Sequence, residues 1–427
     1  MTVTRRRITI ASIGGFVLAG AIAIILLNLT PDRRELRDPV PQVSVMGDVD
    51  FARSIEGLFG SDVMPGNRIE TLVNGNEIFP AMLEAIENAE TSINFETYIY
   101  WSGVMGDAFA AALSARAAEG VAVRVMMDWV GSQGIEDVLL ERLEVAGVKV
   151  SRFRPPHWYN LGRMNNRTHR KLLIVDGEIG FTGGVGIGDK WRGDARNPDE
   201  YRENHYRVTG PVVREMQGAF ADNWVEATGE LLQGPQHFPP LEATGDMDVQ
   251  LVASSTGSRN YLHLMKMLVM ASAQSNIRIA TPYFIPDDVT LKQLLAARER
   301  GVVVEVLVPN TFVDLNLARY ASRHFWEALL KADVAIYEYQ PTFLHKKLMI
   351  IDDGMASIGS GNFDERSFRV NDEANLNVFD AAFVQEQIGL FERDRTEARR
   401  YTLEDWEARS FWTRTKDWFW AHLRIVL

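Results

Sequence analysis

Two short stretches of the chain carry the same reactive residue types at the same spacing. Each stretch reads His, any residue, Lys, four apolar residues and then Asp. The six positions are His169, Lys171, Asp176, His345, Lys347 and Asp352. Imidazole acts as a nucleophile and a proton carrier near neutral pH, and an ammonium group binds phosphate oxygens. Two His and two Lys brought together would therefore hold and attack one phosphoryl group.

The spacing within each stretch has a physical reason. Side chains two residues apart on a strand point to the same face, so each Lys is predicted to lie beside its His. The apolar residues that follow indicate a buried strand. A Lys on that face needs an anion, because an unpaired buried charge is strongly destabilising. One copy would fit a solvated strand edge equally well, whereas two copies at equivalent places predict one shared phosphate site.

The predicted elements around the two motifs repeat in the same order, which indicates a duplication. Each half begins with a helix that leads into an apolar strand, and a second helix and two further strands follow. These segments are 78–89, 93–100, 106–119, 121–127 and 148–153, and then 261–271, 277–284, 291–300, 302–308 and 334–339. The alternation predicts an α/β fold of two similar lobes, 67–240 and 241–400, each a mixed β-sheet flanked by helices.

The N-terminal region predicts a membrane anchor. Residues 8–27 carry no charge, and about 20 helical residues span roughly 30 Å, the thickness of a hydrocarbon core. A cleaved signal peptide is the alternative, although no small-x-small cleavage site follows Leu27. Arginines flank the run on both sides, and their distribution slightly favours an orientation with the N-terminus in the cytoplasm. We expect a transmembrane helix within 1–30, single-pass in the inner membrane, a linker over 31–66, and the rest of the chain on the outer face.

The composition excludes several classes of function. The chain has 427 residues, a formal net charge of −12 and no Cys. Without Cys there is no thiolate catalysis, no Cys-ligated metal and no disulfide. Proteins that grip nucleic acid usually carry a basic surplus, so no nucleic-acid partner is expected. No cluster of His and Asp with metal-ligand spacing occurs in the sequence, so neither a metal nor another cofactor is expected.

The C-terminal residues 401–427 predict an amphipathic helix. Four large aromatic residues fall near one helical face, with basic residues between them: Phe411, Trp412, Trp418 and Phe419. Trp together with Arg and Lys is typical of a helix that lies at a membrane surface. A helix docked on the protein's own core fits the same pattern equally well.

With its duplicated His-x-Lys-x4-Asp motif, the chain resembles the phospholipase D superfamily. A glycine-containing loop follows each motif, at 183–186 and at 359–362. Four further segments are similar to the bacterial cardiolipin synthase branch: Asn-Gly at 74–75, Glu-Thr-Tyr-Ile at 96–99, Thr-Pro-Tyr-Phe-Ile-Pro at 281–286 and Asn-Phe-Asp-Glu-Arg-Ser-Phe at 362–368. The resemblance covers residues 69–401, which is most of the chain.

The resemblance implies a chemical role for each motif residue. One His attacks phosphorus and forms a phosphohistidine, while the other protonates the leaving alcohol and then deprotonates the incoming one. The family tendency makes His169 the nucleophile and His345 the acid and base, and swapped roles stay open. Lys171, Lys347 and Asn362 would donate to the phosphoryl oxygens.

Further positions of the family's site map onto the two loops. Gly184 and Ser360 are expected to bind phosphate together with Asn362. Gly186 stands where many relatives carry Asn, so either backbone N–H groups replace that donor or the first half binds more weakly. Five more residues could line the site or belong to the core: Tyr98, Tyr100, Trp101, His205 and Tyr283.

Acidic residues complete the expected site. A His nucleophile needs an acceptor on its far nitrogen. The family supplies an acid downstream of each motif, and Glu203 and Glu373 match those positions. Asp176 and Asp352 belong to the catalytic motifs, but they lie a whole strand away from the His, so a structural role is expected for them.

The function that the resemblance favours is phosphatidyl transfer to make cardiolipin, with phosphatidylglycerol as donor and acceptor. With water as acceptor the enzyme would be a phospholipase D that produces phosphatidic acid. A superfamily nuclease is the alternative from another class, but those enzymes are often short and basic, with one motif per chain. A non-catalytic membrane scaffold is suggested by Gly186 alone, and the two complete His-Lys pairs argue against it.

Overall fold

The computed structural model describes residues 18–24, 36–157, 164–255 and 260–423. Residues 18–24 are helical, and the labelled elements follow them. The strands are β1 (Met64–Val73), β2 (Ser92–Thr97), β3 (Ala122–Asp128), β4 (Lys149–Phe153), β5 (Leu172–Val175), β6 (Ile179–Gly183), β7 (Asn204–Thr209), β8 (Met247–Ser254), β9 (Asn276–Ala280), β10 (Phe284–Ile285), β11 (Val303–Pro309), β12 (Ala335–Tyr339), β13 (Leu348–Ile351), β14 (Met355–Gly359), β15 (Phe363–Asp364), β16 (Glu373–Val378) and β17 (Ala398–Tyr401). The helices are α1 (Val49–Phe59), α2 (Asn74–Glu87), α3 (Val104–Ala118), α4 (Asp137–Val145), α5 (Val213–Thr228), α6 (Tyr261–Ser272), α7 (Asp288–Glu299), α8 (Asn316–Lys331), α9 (Glu365–Arg369), α10 (Ala381–Thr396), α11 (Leu403–Glu407) and α12 (Phe411–Ala421).

One large mixed sheet organises the fold. Its order is β17-β12-β11-β9-β13-β14-β16-β8-β1-β7-β6-β5-β2-β3-β4, and β10 and β15 form a separate parallel pair. The antiparallel pair β1 and β8 joins the two halves at the centre. Outward from that pair, the order β1-β7-β6-β5-β2-β3-β4 matches the order β8-β16-β14-β13-β9-β11-β12. The molecule is thus a mixed α/β fold in which the strand order repeats.

The apolar runs of the two motifs form strands that are buried on both faces. In β5, Leu172 and Ile174 face a core shared by strands of both halves with helices α5 and α10. Leu173 and Val175 face a second core, formed with α2, α3 and α4. The strand β13 is placed in the same way between the shared core and a third core that contains α1, α6, α7 and α8. A continuous apolar run is typical of a strand covered on both sides.

The His-x-Lys segments themselves differ from the prediction. The prediction put His and Lys on the strand, but β5 begins at Leu172 and β13 at Leu348, each one residue after the Lys. Both His-x-Lys segments directly precede their strands, and backbone hydrogen bonds to the opposite half hold them in place. Hydrogen bonding across the halves therefore replaces a regular ladder at this point.

Two other predicted segments also differ from the structure. The linker expected over 31–66 contains helix α1, because Phe51, Ile55 and Phe59 repeat at helical spacing and are buried against the third core. The strand expected over 277–284 is interrupted at Pro282, which has no N–H to donate to a ladder. It therefore ends at Ala280 as β9, and β10 resumes at Phe284.

The predicted membrane span over 8–27 lies mostly outside the described residues. Its described part, residues 18–24, is helical. Over the ranges that the structure covers, no helix combines the length and the apolar character needed to cross a bilayer.

The C-terminal helix α12 packs against the protein with one face and exposes aromatic side chains on the other. On one face Asp417 is buried and pairs with Arg323 of α8 at 2.8 Å and with Arg409. Ala421 is buried in the same contact. On the other face four aromatic side chains are exposed: Phe411 at 73%, Trp412 at 72%, Trp418 at 54% and Phe419 at 50%. The helix is therefore docked and still presents an aromatic surface.

Candidate active site

Backbone hydrogen bonds between the halves place the first motif. The N–H of His169 donates to the carbonyl of Asp372 at 2.8 Å, and the N–H of Asp372 donates to the carbonyl of Arg167 at 2.9 Å. Thr168 and Asp372 form a parallel bridge at this point. The segment that carries His169 is thus held directly beside the segment that leads to Glu373.

The second motif is placed in the reciprocal way. The N–H of His345 donates to the carbonyl of Arg202 at 2.8 Å, and the N–H of Arg202 donates to the carbonyl of Phe343 at 2.9 Å. Leu344 and Arg202 form the matching parallel bridge. The segment that carries His345 therefore lies beside the segment that leads to Glu203.

Each imidazole is held by the carboxylate of the opposite half. Nδ1 of His169 lies 2.9 and 3.0 Å from the two carboxylate oxygens of Glu373. Nδ1 of His345 lies 2.6 Å from Oε2 of Glu203. This contact places the Nδ1 proton on each ring and leaves Nε2 as the nitrogen available to a ligand. The sequence indicated the two carboxylates but not that the pairing crosses between the halves.

Burial sets the protonation of these pairs. Burial lowers the pKa of His169 to about 4, despite the opposing charge of Glu373. Burial and the neighbouring Lys347 lower the pKa of His345. Burial raises the pKa of Glu373, but His169 and Lys171 outweigh it and hold the pKa at about 2. At neutral pH the imidazole of His169 is therefore neutral, and the carboxylate of Glu373 is ionised.

The two Lys lie next to their His as expected. Nζ of Lys171 donates to the carbonyl of His169 at 2.8 Å. Nζ of Lys347 lies 3.1 Å from Nε2 of His345. Burial and Lys347 lower the pKa of Lys171 to about 7, and burial lowers the pKa of Lys347 to about 8. Two buried cations that repel each other make this a site for an anion.

Ser360 and Gly184, which were predicted to bind phosphate, lie behind the cavity wall beside the carboxylates of Glu373 and Glu203. Both are buried, and neither lines the cavity that contains the two His. Ser360 Oγ donates to Glu373 at 2.5 Å. At Gly184 a Cβ would lie 2.3 Å from Oε2 of Glu203, so the glycine leaves room for that carboxylate. The two positions support the carboxylates that orient the His.

Asn362 and Gly186 occupy equivalent positions but differ in what surrounds them. Asn362 is buried at the cavity wall, and its Oδ1 has no hydrogen-bond partner in the described part of the chain. Gly186 also lines the cavity, but a Cβ there would lie 2.9 Å from Cβ of Ile99 and 3.1 Å from Trp191. Trp191 therefore fills the space that an Asn side chain would need, and the first half presents backbone instead.

Asp176 and Asp352 have structural roles in spite of their place in the motifs. Asp176 accepts from the backbone N–H groups of Glu90, Thr91 and Ser92 at 2.7–2.9 Å. Asp352 accepts from residues 274–276 in the same way. Both lie at the end of the motif strand that is remote from the His, so neither can contact a reacting group.

The two His share one cavity of about 310 Å³. Lys171 and Asn362 also line it. Its walls also include Tyr98, Trp191, Tyr283, Asp314 and Arg366. Of the five residues for which the sequence did not distinguish a site position from a core position, Tyr98 and Tyr283 line the cavity. Tyr100, Trp101 and His205 do not line it, and Tyr100 and His205 are buried in the protein interior.

Sequence reasoning missed Trp191, Asp314 and Arg366. Trp191 follows the first glycine loop and Arg366 follows the second, so proximity to those loops was an available signal. Asp314 lies in the loop after β11, a parallel strand. Loops at the carboxyl ends of parallel strands commonly form binding sites.

Comparisons with known proteins agree with this geometry. The family profile described as "Cardiolipin synthase, PLD-like domain" matches residues 82–223 and 267–395. Cardiolipin synthase 2 of Bacillus cereus is 37% identical over 334 residues, which are 77% of this chain and 64% of that protein. Cardiolipin synthase A of Pseudomonas putida is 34% identical over 345 residues, which are 80% of this chain and 71% of that protein. The chain thus spans about two thirds of the length of such relatives.

A solved structure shares the fold. The crystal structure of phosphatidylserine synthase from Haemophilus influenzae superposes with a TM-score of 0.64 at 14% sequence identity, covering 88% of this chain and 100% of that chain. The profile match extends over more than half of the chain and includes both motifs. The chain belongs to the cardiolipin synthase family of proteins with phospholipase D-like domains.

Proposed function

We propose that the protein transfers a phosphatidyl group through a phosphohistidine and makes cardiolipin from two molecules of phosphatidylglycerol. The observation that carries the proposal is the pair of buried imidazoles in one cavity, each held at Nδ1 by a carboxylate of the other half. Relatives named cardiolipin synthase, at 33–37% identity, support this choice of reaction.

In the first step His169 is the nucleophile. Its Nε2 attacks phosphorus, so that an N–P bond forms and the bond from phosphorus to the glycerol oxygen breaks. His345, charged in this step, gives its proton to the departing oxygen. Glu203 and Asp314 both favour the charged form of His345, although burial and Lys347 lower its pKa overall. A bound phosphodiester adds a negative charge, which raises the proton affinity of His345 further.

The second step reverses the proton movement. The hydroxyl of the acceptor lipid gives its proton to His345, a new O–P bond forms, and the N–P bond to His169 breaks. Lys171 and Lys347 stabilise the negative charge that builds up on the phosphoryl oxygens, and Asn362 donates to the same oxygens. Neutral His169 and ionised Glu373 are regenerated, and the site is ready for another donor.

We also propose the organisation of the chain around this site. Residues 8–27 anchor the protein in the inner membrane as a single span, and the catalytic lobes 67–240 and 241–400 lie on the outer face. The unbroken apolar run supports the span, and the arginines that flank it support the orientation only slightly. A reporter fused to the C-terminus that is active only in the cytoplasm would contradict this orientation.

The activity can be tested directly on detergent-solubilised full-length protein. Phosphatidylglycerol is supplied as the only lipid, and DNA is supplied in a separate reaction. Cardiolipin and glycerol formed in equal amounts support transfer, whereas phosphatidic acid indicates hydrolysis and cut DNA indicates a nuclease. His169→Ala and His345→Ala should abolish turnover, and His157→Ala, at an exposed position, is the matched control.

A further inference from the structure

One wall of the active-site cavity carries a carboxylate, Asp314, that cannot itself bind the phosphoryl group. The hydroxyl of Tyr283 donates to Oδ1 of Asp314 at 2.5 Å, and both residues line the cavity together with His345. Lys171 and Asn362 supply donors that suit a phosphoryl group. A carboxylate repels a phosphate, so this wall is suited to a different part of the substrate.

The repeat shows that the fold does not require this pair. Asp128 at the end of β3 pairs with Phe153, and Pro309 at the end of β11 pairs with Tyr339, which marks equivalent positions in the two halves. Five residues further on, the first half has Gln133 and the second half has Asp314. The side chain of Gln133 donates to the carbonyl of Trp129 and is not part of the cavity wall, whereas Asp314 is exposed at the cavity.

Tyr283 is unmatched in the same way. Thr97 donates to the carbonyl of Ile99 at 3.0 Å, and Thr281 donates to the carbonyl of Tyr283 at 3.0 Å. Ile99 is therefore the counterpart of Tyr283 in the first half. Asp314 and Tyr283 thus form a hydrogen-bonded polar pair in the second half. The equivalent positions of the first half form no such pair at the cavity wall.

A helix-capping role does not account for Asp314. Helix α8 begins at Asn316 with Leu315 at its cap position, and among the described residues Asp314 accepts no hydrogen bond from the first N–H groups of the helix. Burial and the neighbouring Asp314 raise the pKa of Tyr283 well above its usual value, so the phenol keeps its proton. With that proton donated to Asp314, the carboxylate has remaining lone pairs, and the phenol oxygen is itself an acceptor.

We propose that Asp314 and Tyr283 form a polyol subsite that accepts a hydrogen bond from a hydroxyl next to the reacting oxygen. The inference rests on the proposed function and extends it. The glycerol group that leaves the donor and the glycerol group of the acceptor both carry such a hydroxyl, and both must place an oxygen at His345. The subsite thus favours a polyol over a monohydric alcohol or water.

The test is a competition between two acceptors in the full-length protein. Phosphatidylglycerol is the donor, and isotopically labelled glycerol and ethanol are offered together, giving labelled phosphatidylglycerol and phosphatidylethanol. We expect Asp314→Asn to lower the ratio of glycerol to ethanol transfer by about tenfold to a hundredfold, because it removes a charged hydrogen-bond acceptor. Tyr283→Phe should lower the ratio in the same direction.

The ratio separates this role from an effect on His345. Loss of the Asp314 charge changes the proton affinity of His345 for both acceptors alike, so that effect cancels in the ratio. Asp353→Asn, at an exposed turn beyond the remote end of β13, is the matched control and should leave the ratio unchanged. An unchanged ratio in both Asp314→Asn and Tyr283→Phe would overturn the subsite while transfer itself stands. If the wild-type protein transfers to neither alcohol, the proposed function fails first.

Discussion

The Glu373 carboxylate lies 2.9 Å from Nδ1 of His169, although 204 residues separate the two along the chain. The second pair is reciprocal, since Glu203 holds Nδ1 of His345 at 2.6 Å. Each carboxylate belongs to the half opposite its His, so neither half contains a complete His–Glu pair. The orientation of both imidazoles therefore depends on the contact between the halves.

Replacing Glu373 by Gln should lower kcat by about a hundredfold or more, because the amide can turn its NH₂ towards Nδ1 and favour the wrong imidazole tautomer. KM for the lipid should change much less, since Glu373 does not contact the substrate. The measurement is steady-state turnover together with the amount of acid-labile phosphohistidine trapped by rapid quenching. Ser360→Ala, which removes only one hydroxyl from Glu373, should cost about tenfold. Wild-type kcat in the Gln variant would contradict the assigned role.

The pH dependence should differ between the free enzyme and the lipid complex. The first step needs a proton on His345, whose pKa burial lowers, and charges on Lys171 and Lys347, whose pKa values are lowered to about 7 and about 8. These positive charges are lost as the pH rises, so kcat/KM should fall towards mildly basic pH. Neutral His169, with a pKa of about 4, gives a rising limb only at low pH. A bound phosphodiester stabilises every positive group around it, so the falling limb of kcat should lie at higher pH. A flat profile from mildly acidic to mildly basic pH would contradict the scheme.

Gly184→Ala should damage the site, because the added methyl group would lie 2.3 Å from the Glu203 carboxylate. Glu203 must move, His345 loses its partner, and we expect kcat to fall by at least tenfold. Gly218→Ala in helix α5 is the matched control, since a Cβ there meets nothing within 4 Å. That control should keep full activity and gain about 0.5–1 kcal/mol in the free energy of unfolding. Equal behaviour of the two variants would refute this interpretation.

Asp352→Ala should reduce stability and leave the chemistry intact. Asp352 accepts three backbone hydrogen bonds from residues 274–276, at the end of β13 remote from His345. Its loss should lower the free energy of unfolding by about 2–4 kcal/mol, measured by denaturant titration. The kcat of the folded fraction should stay within about twofold of wild type. Asp353→Ala, at the exposed neighbouring position, should change neither quantity, and a large loss of kcat in Asp352→Ala would assign the carboxylate a chemical role instead.

Much of this site is visible in local sequence patterns. His169 and Lys171 stand beside a four-residue apolar run, and the same pattern returns at His345 and Lys347. The run predicts a strand that is buried on both faces, and β5 and β13 are such strands. These inferences succeed because they depend on neighbours along the chain, where the period of the apolar residues fixes the element.

The parts that could not be predicted depend on how the halves meet. The sequence gives no sign that Glu373 belongs to His169, because that pairing follows from backbone hydrogen bonds between the halves. The role of Gly184 is hidden for the same reason, since only the packed structure shows Glu203 against it. Asp314 stands outside both motifs, and its value as a site residue appears only once the loop after β11 is placed at the cavity.

The exposed aromatic face of helix α12 should bind membranes independently of the proposed N-terminal anchor. Phe411, Trp412, Trp418 and Phe419 lie on this face, two pairs separated by two helical turns. We expect that replacing all four by Ser, in protein that lacks residues 1–35, lowers binding to phosphatidylglycerol vesicles at least tenfold in a flotation assay. Truncation after Tyr401 would be less specific, because it also removes the buried Asp417 and its pair with Arg323.

Asp417→Asn is therefore the informative comparison for the tail. It weakens the docked face of α12 and leaves the aromatic face unchanged, so it should lower stability while vesicle binding persists. The variant with all four aromatic residues replaced by Ser should keep its stability and lose vesicle binding. The replaced side chains project from the protein and contribute little to the core. If vesicle binding is lost in Asp417→Asn and retained in the Ser variant, the aromatic face is not the membrane contact, and docking of the helix is its only role.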